Sequence, residues 1–247
     1  ALAGLDQLAE AMNGEEDDDD LVVDMSGPGQ ARVDRGRVGP DDGDEEDDKT
    51  PQAFMVEPSP NATPIQLTRI AGGIANLKPS PAGNAIAFTR DIKLDETVNE
   101  IYDDLPKADA RIIDSLLYRH WNQWHDYKYS HLHVAQVDAE GNVGEPIDLM
   151  GTMKADCPVP PFGGSEQFAF SPAGDQIALT LKLVNDPAES TDTGVYLIDL
   201  KQVFVAPESR VIMTHITPGM PGYDMEPAFR PDGSSIAFHS MRRAGFE

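Results

Sequence analysis

Apolar and polar positions alternate in a pattern that occurs three times along the chain, each time around a proline–glycine turn. The three copies span residues 79–88, 170–179 and 229–238. In each copy proline presets φ at the second position of a type I turn, and glycine takes the position where φ is positive. The strand after the turn alternates large, small and large side chains, as in Ile86, Ala87 and Phe88. The pattern predicts β-hairpins in sheets covered on both faces, where alanine admits a neighbouring sheet.

The spacing of the hairpins indicates how the sheets are arranged. Pro81 and Pro172 are 91 residues apart, whereas Pro172 and Pro231 are 59 residues apart. Because one propeller blade needs about 40–50 residues, repeated hairpins at this spacing predict an all-β fold, a partial β-propeller of about three to four blades. The longer first interval predicts a partial blade together with an insertion.

The insertion, at about residues 103–125, has the apolar spacing of an amphipathic helix. Leu105-Pro106 starts the pattern, and apolar side chains then recur at intervals of three and four. These residues are Ile112, Ile113, Leu116, Leu117 and Trp121. Further strands are predicted at residues 65–70, 129–137, 143–149, 195–200 and 211–216.

Charge divides the chain into two parts. The net charge is −24, and residues 1–50 hold 17 acidic side chains against four basic ones. Like-charge runs with little apolar content do not fold, so we predict a disordered acidic segment at residues 1–56 and a folded domain at 57–247. The acidic segment is either an interaction or solubility segment or an unselected linker, and its composition favours the linker.

Composition excludes several classes of partner. Nothing in this acidic chain would neutralise phosphates, so nucleic acid is not an expected partner. No apolar run approaches the roughly 18 residues of a membrane span. The single cysteine, Cys157, excludes an internal disulfide framework.

Recognisable catalytic machinery is not apparent in the sequence. There is no G-x-S-x-G nucleophile elbow, phosphate-binding glycine loop, cysteine pair or H-E-x-x-H motif. His120, His125, His131 and His133 lie close together, and two histidines separated by one residue on a strand can share a metal ion. No third ligand is placed by spacing and the neighbours are aromatic, so we favour packing and expect neither a metal nor a cofactor.

Five residues are candidates for contact with a ligand. Glu166 precedes the inner strand of the second hairpin, and Tyr223, Asp224 and Glu226 occupy the corresponding place in the third. Carboxylates that line a propeller channel could hold the amino terminus of a peptide, although they could equally be solvated strand ends. Trp124 belongs to an aromatic cluster that could line a peptide-binding mouth, although packing of the insertion onto the propeller rim is favoured.

Several segments together resemble the prolyl oligopeptidase family, in its dipeptidyl-peptidase and acylaminoacyl-peptidase branch. They are residues 103–121 with Trp124, Ser130–Leu132, Pro161–Gly164 and Gly222–Met225. The resemblance implies a propeller that filters peptide substrates and an α/β-hydrolase domain whose Ser-Asp-His triad cleaves them. In that family the hydrolase domain follows the propeller, so it is expected beyond Glu247.

The resemblance sets the functional expectation. The chain is expected to be the substrate-filtering part of a serine exopeptidase that removes dipeptides or acylated residues from peptide N-termini, inactive alone, in a periplasmic or secreted setting. Its expected partners are the peptide substrate, the missing hydrolase domain and, because an open arc exposes sheet edges, a second copy of the chain. The alternative is a stand-alone propeller module, similar to those of TolB, that binds without catalysis.

Overall fold

The computed structural model describes residues 50–241, except Ser115, Trp121, Asp186 and Met220. These residues belong to one compact unit, and their fold is all-β. The strands are β1 (Phe54–Met55), β2 (Ile65–Gln66), β3 (Ala75–Pro79), β4 (Ala85–Lys93), β5 (Arg119–His120), β6 (Gln123–Trp124), β7 (Lys128–Gln136), β8 (Ile147–Asp148), β9 (Phe168–Phe170), β10 (Gln176–Leu181), β11 (Gly194–Asp199), β12 (Met213–His215), β13 (Asp224–Phe229) and β14 (Ile236–Ser240). The helices are α1 (Val98–Ile101) and α2 (Leu200–Val205), and a 3₁₀ turn lies at Ser165–Gln167.

Two four-stranded antiparallel sheets and one further hairpin form the body of the fold. The first sheet has the order β3-β4-β7-β8, the second β9-β10-β11-β12, and β13 pairs with β14 as the start of a third. In both complete sheets, strands that follow one another in the chain are neighbours. This arrangement is the predicted partial, propeller-like fold.

The three proline–glycine turns have the predicted geometry. The amides of Gly83, Gly174 and Gly233 donate to the carbonyls three residues earlier, at 3.0, 2.9 and 2.8 Å. All three glycines have φ between +66° and +73°, a region that glycine enters without a Cβ penalty. The turn chemistry read from the sequence therefore sets the register of these hairpins.

The main core lies between the first two sheets. Ala85 and Ala87 belong to the same buried cluster as Phe168, Ile177 and other residues of the second sheet. On the opposite face of β4, Ile86 and Phe88 pack with Ala53 and Ile74. The small residues therefore face the neighbouring sheet, as the alternation of large and small side chains predicted.

The predicted amphipathic helix from Leu105 is wrong for the residues that the structure describes. The insertion between β4 and β7 holds only the single turn of α1 and the short β5–β6 hairpin. Ile112, Ile113, Leu116 and Leu117 are each about half exposed, so no surface in the described fold buries their apolar face. A short helix without such a partner is marginal in water, and periodicity alone did not supply one.

The start of the folded part lies earlier than residue 57. The Gln52 side chain bonds both the amide and the carbonyl of Ile70, Ala53 is fully buried, and β1 pairs with β2. The rest of the predicted acidic segment, residues 1–49, lies outside the described residues. The disorder of residues 1–49 therefore stays a prediction.

The connections at the two ends of the strands differ in kind. The proline–glycine turns and the β7–β8 and β11–β12 links lie at one end of the strands, which we call the turn edge. The insertion and the β8–β9, β10–β11 and β12–β13 links lie at the opposite edge, which we call the loop edge. None of the helices in the described part of the chain has the length and apolarity that a membrane span requires.

Candidate functional site

The loop that carries Glu166 is closed by its own side chains. The amide of Val159 donates to Oε1 of the buried Gln167 at 2.7 Å, and the amide of Gly163 donates to the carbonyl of Val159 at 3.1 Å. A Cβ on Gly163 would lie 2.6 Å from that carbonyl and 2.7 Å from the Gln167 side chain. Glycine is therefore required here by close approach, and two hydrogen bonds close the loop.

Glu166 is exposed at the centre of the 3₁₀ turn at the loop edge. Its Oε1 accepts a hydrogen bond from the amide of Gly164 at 2.6 Å. A carboxylate bound by a backbone amide is held in one orientation, and its remaining lone pairs point to solvent. The side chain can therefore accept hydrogen bonds from a cationic group that approaches this edge.

Tyr223 and Asp224 lie at the same edge, where β13 begins, but they differ in access. Asp224 is only 1% exposed, and its amide donates to Oγ1 of Thr193 at 3.0 Å. Tyr223 is partly exposed, and its carbonyl accepts from the amide of Met241 at 2.7 Å. Burial favours a structural role for Asp224, whereas Tyr223 stays available to a ligand.

Glu226, the remaining carboxylate at the start of the third hairpin, is also accessible. It has φ of +57°, at the irregularity between Met225 and Ala228 where β13 changes register with β14. Its Oε2 lies 2.7 Å from Nδ1 of His239. A glutamate in the left-handed region is uncommon and marks a candidate functional position. Because β13 packs beside the 3₁₀ turn, Glu166 and Glu226 lie on neighbouring elements.

Trp124 lies elsewhere, within the insertion. Its ring stacks on Tyr118 at 5.6 Å between centroids, and the Arg111 guanidinium lies over both the Trp124 and the Tyr127 rings at 5.6 Å. Arg111 also donates to the carbonyl of His125 at 2.7 Å. These contacts join residues within the insertion, so packing of the cluster onto the propeller rim stays a prediction, and 48% of Trp124 remains exposed. Trp121 lies outside the described residues.

Asp95 collects three partners at the base of the insertion. Its carboxylate accepts from the Tyr129 hydroxyl at 2.8 Å, lies 3.1 Å from Nε2 of His125, and forms an ion pair with Lys154. Burial opposes ionisation, yet the three partners together hold the pKa of Asp95 below its usual value. Burial and the bond to Asp95 raise the pKa of Tyr129. The network fastens the insertion to β7.

His131 and His133 are buried in the first sheet. His131 Nδ1 lies 2.9 Å from Asp148 Oδ2, and its Nε2 lies 2.9 Å from the carbonyl oxygen of Met153. His133 directs Nδ1 to the carbonyl of His131 at 3.0 Å and stacks on Phe88. These nitrogens are engaged by the protein itself. No three potential metal ligands converge anywhere in the described part of the chain.

A cleft of about 260 Å³ opens at the loop edge of the second sheet. Asp192, Tyr196, His215 and Thr217 are among the residues that line it. Tyr196 and His215 stack at 4.4 Å, and burial together with the nearby Asp192 raises the pKa of Tyr196. The irregular connections of the loop edge therefore supply a concave surface as well as Glu166.

Comparisons with known proteins give the relationship of the chain. No family model matches it. It is 37% identical over 179 residues to dipeptidyl-peptidase 5 of Porphyromonas gingivalis, which covers 71% of the chain and 25% of that relative. It is 32% identical over 184 residues to dipeptidyl-peptidase 5 of Porphyromonas endodontalis, which covers 74% of the chain and 25% of the relative.

A more distant relative has the same kind of name. Dipeptidyl-peptidase 4 of Giardia intestinalis is 26% identical over 208 residues, covering 72% of the chain and 27% of that protein. The chain thus spans about a quarter of the length of the curated relatives that it matches. Over this partial region, the chain is related to the dipeptidyl peptidases, as its sequence motifs predicted.

Proposed function

We propose that this chain is the substrate-filtering part of a dipeptidyl peptidase, and that Glu166 binds the free amino terminus of the peptide. The observation that carries the proposal is the fixed, exposed Glu166 carboxylate at the loop edge, in a chain related to dipeptidyl peptidases. Peptide-bond cleavage is assigned to a Ser-Asp-His hydrolase domain outside residues 1–247.

The chemistry of the site suits this substrate. An exopeptidase that releases dipeptides cleaves the second peptide bond from a free α-ammonium. It therefore needs an anion that binds the ammonium at a fixed distance from the scissile bond. A carboxylate accepts charge-assisted hydrogen bonds from an ammonium, about twice as strong as neutral ones. Rigid backing is required, since a loosely held anion would not define that distance. The closed loop from Val159 to Gln167 supplies the backing.

The test is a single charge removal in the protein expressed from its complete reading frame. Glu166→Gln keeps the shape of the side chain and removes its charge. We expect KM for a dipeptide with a free amino terminus and a chromogenic leaving group to rise about tenfold or more, the usual value of a hydrogen bond to a charged group. Glu208→Gln, on the turn-edge link between α2 and β12, is the matched control. An unchanged KM in Glu166→Gln contradicts the proposal.

The coding DNA past the codon for Glu247 separates this function from a stand-alone binding module. We expect the frame to continue through further proline–glycine hairpins into a G-x-S-x-G elbow, as in an α/β-hydrolase. A stop codon at that point would favour a binding module that shares ancestry with the peptidases.

A further inference from the structure

Lys78 connects the first sheet to the turn that carries Glu166. It lies on β3, and its ammonium donates to the carbonyl of Ser165 and, at 2.6 Å, to the carbonyl of Phe168. These two carbonyls stand on either side of Glu166 in the chain. One side chain from the neighbouring sheet therefore forms hydrogen bonds at both ends of the 3₁₀ turn.

The backbone of β3 directs Lys78 towards this contact. The pairing of β3 with β4 changes register between Ala75 and Lys78, and Asn76 at that irregularity has φ of +52°. The Asn76 side chain donates to Oγ1 of the buried Thr89 at 2.9 Å, which fixes the irregularity. Such bulges re-aim side chains next to functional sites.

The surroundings of Lys78 make its position specific. Its ammonium lies 4.8 Å from the centroid of the fully buried Phe168 ring, a cation–π contact. Burial lowers the pKa of Lys78, while the Glu166 carboxylate opposes that shift.

We propose that Lys78 is a positioning residue for Glu166: by binding the Ser165 and Phe168 carbonyls, it holds the carboxylate where the substrate ammonium arrives. This inference rests on the proposed function of Glu166. Lys78 touches no substrate. It acts through the turn, because loss of its ammonium leaves two carbonyls without this donor and frees the backbone around Glu166.

The experiment is a double-mutant cycle in the protein expressed from its complete reading frame. Lys78→Met keeps the apolar stem and removes the ammonium, and it is combined with Glu166→Gln. We expect Lys78→Met alone to raise KM about tenfold with little change in kcat. In the Glu166→Gln background we expect Lys78→Met to change KM by less than about twofold, because the anion that it positions is absent. Lys201→Met, at an exposed turn-edge ion pair with Asp175, is the matched control.

The outcomes are distinguishable. If Lys78→Met raises KM equally in both backgrounds, or leaves KM unchanged, the positioning role is wrong while the proposed function stands. If Glu166→Gln alone has no effect on KM, the proposed function fails first.

Should Lys78→Met not fold, Lys78→Gln, which keeps an amide donor on a shorter stem, enters the same cycle under the same criteria. Faster hydrogen exchange at the Gln167 and Phe168 amides is expected in either folded variant. Unchanged exchange would show that the hydrogen bonds from Lys78 do not stabilise the turn.

Discussion

Protonation of the buried His131 is predicted to hold the first sheet to the segment that leads to Glu166. Both ring nitrogens face acceptors, the Asp148 carboxylate and the Met153 carbonyl, each at 2.9 Å. A neutral imidazole has one N–H, so satisfying both acceptors requires the imidazolium. Burial is the largest single influence and works against the charge, but the bond to Asp148, its negative charge and the Met153 carbonyl together outweigh burial, so the pKa of His131 is raised. The pKa of Asp148 is correspondingly lowered.

The perturbation is His131→Phe, which keeps the ring shape and removes both donors. Breaking a buried ion pair from one side costs about 3–5 kcal/mol of unfolding free energy. Asp148 keeps 25% of its side chain exposed and retains hydrogen bonds from the amides of Met150 at 2.7 Å and Gly151 at 3.1 Å. These partners place the expected loss near the lower end, about 3 kcal/mol at pH 5.5.

The sign of the pH dependence follows from the direction of the shift. A histidine whose pKa is raised by folding contributes stability that is fully present below its unfolded pKa, about 6.5, and lost as the pH rises through the folded value. The difference between wild type and His131→Phe should therefore be largest near pH 5.5 and smaller at pH 8.5. Asp156 and His133, the other titratable groups near His131, are present in both proteins, so their own titrations largely cancel.

The assay is urea unfolding followed by far-ultraviolet circular dichroism at pH values from 5.5 to 8.5. His239→Phe is the matched control, because His239 pairs with Glu226 at 2.7 Å but is 79% exposed. An exposed pair of this kind is worth about 0–1 kcal/mol. The reasoning is refuted if His131→Phe costs no more than His239→Phe, or if its cost does not fall as the pH rises.

Three further predictions concern residues whose surroundings are fixed by close contact. Gly163→Ala places a Cβ 2.6 Å from the Val159 carbonyl, so we expect a loss of about 1–3 kcal/mol in urea unfolding; an unchanged midpoint contradicts this. Gly83→Ala and Gly174→Ala both place alanine in the left-handed region, which costs about 1–2 kcal/mol. A Cβ at residue 174 also overlaps the Asn84 side chain, so we expect Gly174→Ala to lower the melting temperature more than Gly83→Ala does. Cys157 is fully buried and burial raises its pKa, so a thiol reagent should label it only in urea, and rapid labelling of the native protein would show that this part of the core opens.

The hairpins were predictable because their information is local. Proline at the second turn position and glycine at the fourth suffice to fix the bond from Gly83 to Ser80 and its two counterparts. The alternation after the first turn also predicted burial on both faces of β4, since Ala87 and Ile86 enter different clusters. No distant residue was needed for these inferences.

The insertion failed as a helix prediction because its apolar spacing says nothing about a partner surface. Leu116 and Leu117 lie on the predicted apolar face, yet each is just over half exposed. What orders this segment is side-chain chemistry over longer distances: Arg111 between two aromatic rings, and Asp95 with its three partners. Such contacts between residues 10 to 60 positions apart leave no periodic signature.

The candidate site was predictable only where local sequence information defines it. Glu166 was found by its place before an inner strand, which the hairpin repeat defines. Glu226 was found in the same way in the third hairpin, although its change of register at β13–β14 was not. Lys78 was not found, because its orientation depends on a change of register at β3–β4 that only the paired structure reveals. A positive φ, at Asn76 and at Glu226, marks both changes of register.

The two edges of the sheets differ in the contacts that hold their connections. At the turn edge the three proline–glycine turns are short and repeat the same hydrogen bond, so we expect a substitution in them to change stability. At the loop edge the connections differ from sheet to sheet and are held by individual side chains such as Gln167, Lys78 and Asp95. Loops that differ on a repeated frame are where binding specificity resides. If Glu166 binds the substrate as proposed, its position is set by contacts between sheets, and substitutions that change KM without changing stability should lie at this edge.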